Sequence, residues 1–364
     1  MKRIRLIEAA LCAVTILCGF TDRKDYETAL LKEAVASSDA SSNVVVSPRS
    51  AAEALSMLAE GAAGSTRDEI ISTLGGSLCA PLDPVKGITL KSANSVWIRK
   101  DLDLKKAYSK VLSRNYGAQA YRLNFTRADA AGLINHWCSK HTNGKIPKII
   151  DRISPESVLF LINAIYFNAN WEDPFDEGKT REDIFHGAKD LNRKFMHAKR
   201  WYDYMETDKS QIVVLPYAGG RFAMTIILPK EGCEQEYAVD YSKLGQEQVR
   251  LSLPKFKVET SLEMNDILKS MGIRRAFYSG ADFSNMTSSP VAVDKVLQKC
   301  YIDVSEKGTE AAAVTMIQMK LTAVGPGYDT SKVMNVNRPF VFIITDLNTG
   351  EALFAGRISD PKQN

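Results

Sequence analysis

Apolar positions along this chain fall into two rhythms. Residues 21–42 carry Tyr26, Ala29, Leu30, Glu33 and Ala34 at helical spacing and run into a serine-rich loop. Residues 51–59 repeat that spacing with Ala51, Ala54, Leu55, Leu58 and Ala59, behind Ser50 as the expected cap. Gly61-Ala62-Ala63-Gly64 stops the helix and Ser65 to Glu69 restarts one, with Glu69 at capping-box distance from Thr66. Further helices are predicted over 103–116, over 128–141 with Leu133, Ile134, Trp137 and Cys138 on one face, and over 266–271 before Gly272. Between them stand strand-like runs: 43–47 stopped by Pro48, 92–98, 158–167, 215–217, 222–229, 249–256 and 296–304. The run Val158 to Phe167 is too long and too apolar for a half-exposed strand, so it belongs at the centre of a sheet. Asn163 interrupts it and must find hydrogen-bond partners or cost about 1–3 kcal/mol. No linker-like break or internal repeat divides residues 43–364, which predicts one domain.

One stretch fits neither rhythm. After the strand-like run ending at Val304 come Glu306-Lys307-Gly308-Thr309-Glu310, then Ala311 to Ala323, then a glycine- and proline-containing loop. Gly308 supplies a hinge. In an extended chain Thr309, Ala311, Ala313, Thr315, Ile317 and Met319 share one uncharged face, small near the hinge and larger beyond it. Such a ribbon could enter a sheet smallest end first. Taken alone, it reads first as an ordinary edge strand or linker.

Composition narrows the function. At 45% hydrophobic and 25% charged, the chain is ordinary globular material, and a formal charge of +4 with no basic block argues against nucleic-acid binding. There is no Gly-x-Ser-x-Gly, no His-Glu-x-x-His and no phosphate or dinucleotide loop, so nothing signals an enzyme, a cofactor or a metal. His136 and His141 have the wrong spacing for a helix metal site and read as surface residues. Cys79, Cys138, Cys233 and Cys300 lie far apart and read as free buried thiols. The opening Met1-Lys2-Arg3-Ile4-Arg5, followed by an apolar run from Ala9 to Phe20, resembles an export signal over residues 1–20. Thr15-Ile16-Leu17-Cys18 also resembles a lipoprotein site with Cys18 as the lipid-bearing residue. The chain would then be extracellular or held at the cell envelope.

Glu306-Lys307-Gly308-Thr309-Glu310-Ala311-Ala312-Ala313 resembles the hinge of a serpin reactive loop. The resemblance continues through Asn43 to Ile70, through Asn135, Trp137, Thr142, Gly144, Lys145 and Ile146, and through Asn337 to Ile344 and Leu353 to Ile358. It implies an α+β serpin fold over residues 21–364: a large central mixed sheet, two further sheets, about seven to nine helices and a reactive loop near 306–330. The short interval 70–94 leaves little room for the family's helix D, so activation by glycosaminoglycans is not expected. The resemblance puts Ser47, Ser50, Asn163 and Gln298 at the family's shutter and Trp171, with Phe175, at its breach. Counting the family's usual span from Glu306 puts the attacked bond at Thr322–Ala323, with Lys320–Leu321 and Met319 as rivals. The implied function is inhibition of a serine protease of elastase, subtilisin or trypsin type, with cysteine proteases a second class, by a monomer without cofactors. The alternative is a carrier, storage or chaperone protein of the same fold.

Overall fold

The computed structural model describes residues 22–82, 88–309 and 329–363. Helix α1 (Arg23–Ala36), strand β1 (Val44–Val46), helices α2 (Pro48–Gly61) and α3 (Gly64–Thr73) open the chain. They are followed by β2 (Thr89–Arg99), α4 (Lys106–Tyr116), β3 (Gln119–Leu123), α5 (Ala130–His141) and β4 (Leu159–Asn170). A long all-β stretch comes next: β5 (Arg181–His186), β6 (Asp190–Glu206), β7 (Ser210–Pro216), β8 (Phe222–Pro229), β9 (Gly245–Pro254) and β10 (Phe256–Glu263). Helix α6 (Asn265–Ser270), β11 (Lys295–Ser305), the two-residue β12 (Gly308–Thr309), β13 (Lys332–Asn335), β14 (Phe340–Asp346) and β15 (Ala352–Ile358) complete it.

The strands make two sheets. The central one has the order β10-β11-β12-β4-β2-β3, mixed in direction because β4 and β11 pair in parallel while β2 and β4 pair antiparallel. The expected two further sheets are fused into one nine-stranded sheet by β6, which pairs with β9 from Phe195 to Tyr204 and with β7 from Asp203 to Glu206. An aromatic-rich core that includes Phe167, Trp171 and Phe342 lies between the sheets, while α5 covers the far face of the central sheet over Phe160, Ile162 and Tyr166. Helix α2 is buried at every position except Glu60, so it runs beneath the central sheet instead of along the surface.

Six α-helices and three 3₁₀ turns stand among the described residues, against the expected seven to nine helices. No helix occurs between Thr73 and Thr89 among them, in line with the short interval there. Two capping expectations are corrected. Ser47, not Ser50, caps α2: its side chain accepts from the Ser50 amide, and Pro48 takes the first helical position, where its missing N–H costs nothing. Helix α3 starts at Gly64 with no side-chain cap; Thr66 accepts from the Asp282 amide, and Glu69 accepts from the amides of Arg274 and Arg275. Those distant amides outcompete the local capping box.

Candidate functional site: the seam between β4 and β11

Register brings the predicted residues together. Gln298 of β11 lies opposite Asn163 of β4, which lies opposite Asn94 of β2. Three side-chain amides therefore stand in one row across three strands, and α2 meets that row from below. The Gln298 amide nitrogen donates to Asn163 Oδ1 at 2.6 Å and to the Ser47 carbonyl at 3.1 Å, while its oxygen accepts from the Ser47 amide at 3.0 Å. Asn163 Nδ2 donates to the Ser50 carbonyl at 3.2 Å, and to Ser50 Oγ and Asn94 Oδ1. Ser50 Oγ reaches Ser92 Oγ at 2.8 Å, and Ser47 Oγ donates to the Leu353 carbonyl at 2.5 Å. Ser47, Ser50, Asn163 and Gln298 are all within 1% of complete burial, so the penalty foreseen for Asn163 is met by a closed set of partners.

Asn94, Ser92 and Glu53 were missed by sequence reasoning. Glu53 sits on α2, 7% exposed, hydrogen-bonded by the Asn94 side chain. Burial pushes its carboxyl up to about 7, against the pull of Asn94 and Arg49.

Higher up, the seam is parted. Strand β12 wedges between β11 and β4: Thr309 pairs with Val304 and Ala169, and Gly308 with Ser305 and Asn170. Gly308 has φ +149°, and a Cβ built on it would fall 2.2 Å from the Ala169 carbonyl oxygen. Only glycine fits there. Thr309 is fully buried, and its hydroxyl meets the Tyr217 phenol at 2.6 Å. Tyr217, also missed from sequence, stacks on Trp171 with centroids 4.5 Å apart and planes 13° apart. Trp171 Nε1 donates to the Ser305 carbonyl at 2.9 Å, and its amide donates to the Lys307 carbonyl at 2.9 Å. Glu306 is clamped by Lys255 at 2.8 Å and Thr180 at 2.8 Å. Burial alone would raise the Glu306 carboxyl, but the bonds from Lys255 and Thr180 outweigh it and hold it below its ordinary value.

The family model described as "Serpin (serine protease inhibitor)" matches residues 23–361. This chain belongs to the serpin family. A serpin-like protein of Thermococcus kodakarensis, uncharacterised, is 34% identical over 88% of this chain and 81% of its own length. Iripin-2 of Ixodes ricinus is 31% identical over 87% of each chain. The native-state structure of the thermophilic serpin tengpin superposes with a TM-score of 0.84 at 30% identity, covering 93% of both chains. Thyroxine-binding globulin, bound to thyroxine, shares the fold at a TM-score of 0.84 and 24% identity, covering 94% of this chain and 98% of its own. Serpins are generally protease inhibitors, and thyroxine-binding globulin shows that members with another role exist.

Of the serpin hinge residues, Glu306, Gly308 and Thr309 are placed as described above. Glu310, Ala311, Ala312 and Ala313, and the reactive-site residues Met319, Lys320, Leu321, Thr322 and Ala323, lie outside the described residues, as does Cys18. The described chain resumes at Asp329, which pairs with Lys199 at 2.9 Å and with Arg250, just ahead of β13 on the nine-stranded sheet. No disulfide links Cys79, Cys138, Cys233 and Cys300; Cys233 is half-buried where a buried thiol was expected, because it follows the solvent-facing turn after β8. Burial pushes the thiols of Cys79 and Cys138 up to about 12, which leaves them protonated and inert.

Proposed function

We propose that this serpin is a suicide-substrate inhibitor of serine endopeptidases, trapping the acyl-enzyme by drawing its cut loop between β11 and β4. Insertion of a loop into the central sheet is an established behaviour of the family. The observation that carries the reading here is Thr309, fully buried as the first rung of a strand that already parts β11 from β4. The uncharged, small-first face that follows in the sequence suits continued entry. Thr309 is fixed in the central sheet and Asp329 against the other, so an uncut chain is tethered on both sides of the reactive segment. A cut frees one.

The energetics support a one-way step. A dozen added residues bring backbone hydrogen bonds of about 1 kcal/mol each, comparable with the whole stability of an ordinary domain, about 5–15 kcal/mol. About fifteen inserted residues at roughly 3.3 Å each would carry an attached enzyme on the order of 50 Å. Displacing catalytic groups by about 1 Å can cost about a hundredfold in rate, so deacylation stalls. Thr322–Ala323 is the proposed cut, with Lys320–Leu321 and Met319 as rivals; the target is of elastase, subtilisin or trypsin type, with cysteine proteases a second class. The protein works as a monomer, exported through its basic-then-apolar start and anchored at Cys18 or released.

Incubation with elastase, subtilisin and trypsin should give, with one of them, an adduct that survives heat and detergent on gels. Mass spectrometry of the released C-terminal fragment should place the cut within 319–323. Clean cleavage with no adduct and an unchanged melting temperature would mean a carrier or chaperone of the same fold.

A further inference from the structure

The outer face of the nine-stranded sheet carries a feature that the fold does not use. Trp201 turns its ring to solvent at 66% exposure, more than any other large apolar side chain described. Register fixes its neighbours. Residues two apart on a strand share a face, so Lys199 and Trp201 of β6 point the same way. Lys199 lies opposite Arg250 of β9, and Arg250 lies opposite Val333 of β13, which adds an exposed valine to that face. An indole left in water stabilises nothing in the free chain. Tryptophan and arginine are the side chains that most often anchor protein contacts, and this face presents both.

Chain length says what comes near this face. Lys199 and Arg250 both hold Asp329, where the described chain resumes after the reactive segment. From Ala323 to Asp329 is six residues, which span at most about 20 Å however they run. A protease domain of about 200 residues has a radius of gyration of about 16 Å and so is about 40 Å across. An enzyme seated on the Thr322–Ala323 bond therefore has its edge within reach of Asp329 and of the side chains that hold it. Trp201 stands about 7 Å along β6 from Lys199.

We propose that this face of β6, β9 and β13 is a second docking surface for the attacked protease, with the Trp201 indole seated in an apolar hollow of the enzyme and Arg250 at its flank. The proposal rests on the inhibitory reading above and extends it to the choice of target. Residues at the cut decide which bond an enzyme can attack. The outer face decides which of the enzymes able to attack it is held there long enough. Specificity is a difference of affinities, and a contact away from the cut bond supplies one without altering the segment that must enter the sheet.

The test separates docking from trapping. Elastase, subtilisin and trypsin are each used active and with the catalytic serine replaced by alanine, so that binding to the full chain is read without acylation. For the enzyme that binds, Trp201→Ala should weaken binding of the inactive form about tenfold and slow adduct formation by the active form to the same degree. The split between adduct and cut inhibitor should stay as it was, since β12 and its clamp are untouched. Val333→Thr keeps the β-branched shape and should weaken binding about twofold. Tyr278→Ala removes a ring 57% exposed beside Lys269 of α6 and should change neither quantity. Equal binding and an equal rate in Trp201→Ala overturn the docking surface, while an adduct still upholds the inhibitory reading. Binding that Trp201→Ala abolishes, with no adduct from the active enzyme, does the reverse. A dimer of the wild-type chain that Trp201→Ala dissolves gives the face to a second copy and overturns the proposal. Failure of all three inactive enzymes to bind overturns it too.

Discussion

The shutter and the breach sit on the same seam between β4 and β11 and are built on opposite principles. At the shutter the strands bond to one another directly, and the knot beneath them is made of amides and hydroxyls without a formal charge: Asn94, Asn163, Gln298, Ser47 and Ser50. At the breach the strands are held apart by Gly308 and Thr309, and the surroundings are an aromatic stack and an ion pair, Trp171 on Tyr217 and Lys255 on Glu306. A neutral, fully satisfied network is hard to open because each lost bond strands its partner in a dry interior. A stack gripping a two-residue wedge is easier to extend than to close. The seam is therefore locked low and primed high, which is the polarity that top-down insertion requires.

The harshest way to break this contrast is to make the wedge unacceptable. Thr309→Arg would have to place a cation where the native side chain has no solvent contact. Covalent complex with the target protease should be lost altogether and the variant consumed as a substrate. Its uncut form should keep nearly wild-type stability, because the hinge can swing out. Full complex formation by this variant, read on a denaturing gel, would show that insertion does not begin at Thr309.

The next test strikes the locked end. Asn163→Leu keeps the volume and removes the hub that Gln298, Ser50 and Asn94 all bond. The stranded partners should cost about 2–3 kcal/mol, seen as a lower denaturant midpoint with an unchanged slope. A loss of the same size from Trp171→Leu would erase the distinction drawn between the two ends.

Much of this arrangement was legible, and the rest was hidden by long-range register. Asn163 declared itself as the lone amide in an apolar run. Gly308 and Thr309 stood out because the segment obeyed neither periodicity. Asn94 did not: in Ser92-Ala93-Asn94-Ser95 it looks like any polar strand residue, and only its pairing opposite Asn163 gives it a role. Gln298 and Asn163 are 135 residues apart, a separation that local pattern cannot bridge. Glu53 was lost for a different reason. Helical periodicity assigns it to the solvent side of α2, but α2 is enclosed on all sides, so the side chain that should meet water meets Asn94. Tyr217 followed Leu215 and Pro216 as an ordinary strand end, with nothing local to show that it would carry Trp171.

Acid and base should separate the two regions by sign. The folded-state value of Glu53 is raised from an ordinary 4.5 to about 7, so its contribution is fully present below about 4.5 and is lost as pH climbs to about 7. That change is worth about 3 kcal/mol at most. Glu27, buried under β15, is raised to about 7 as well and adds to the same limb, so the clean comparison is Glu53→Gln against Glu27→Gln and the wild type. Glu306 runs the other way. Its folded-state value is depressed, so the clamp with Lys255 and Thr180 is intact above the ordinary 4.5 and weakens as pH falls through the lowered value. Denaturation midpoints should therefore fall between about pH 4.5 and 7 in the wild type and fall less steeply in Glu53→Gln, where only Glu27 still contributes. Protease sensitivity of the hinge should rise only in stronger acid. A flat profile in the wild type, or an unaltered one in Glu53→Gln, would remove titration from the shutter.

The mildest change probes how firmly the wedge is seated. Tyr217→Phe keeps the stack on Trp171 and deletes one hydroxyl, leaving the Thr309 oxygen buried beside a hydrocarbon edge. The net loss is about 1 kcal/mol, and it falls on the state with β12 inserted and not on the fold, because a hinge swung into water regains its hydrogen bonds there. The equilibrium between inserted and expelled hinge should move outward about fivefold, read as faster amide exchange at Gly308 and Thr309. Exchange at Gln298 and Asn163 should stay as slow as before, since the shutter shares no partner with Tyr217. If exchange speeds up at both ends together, the seam opens as one unit and is not locked at one end and primed at the other.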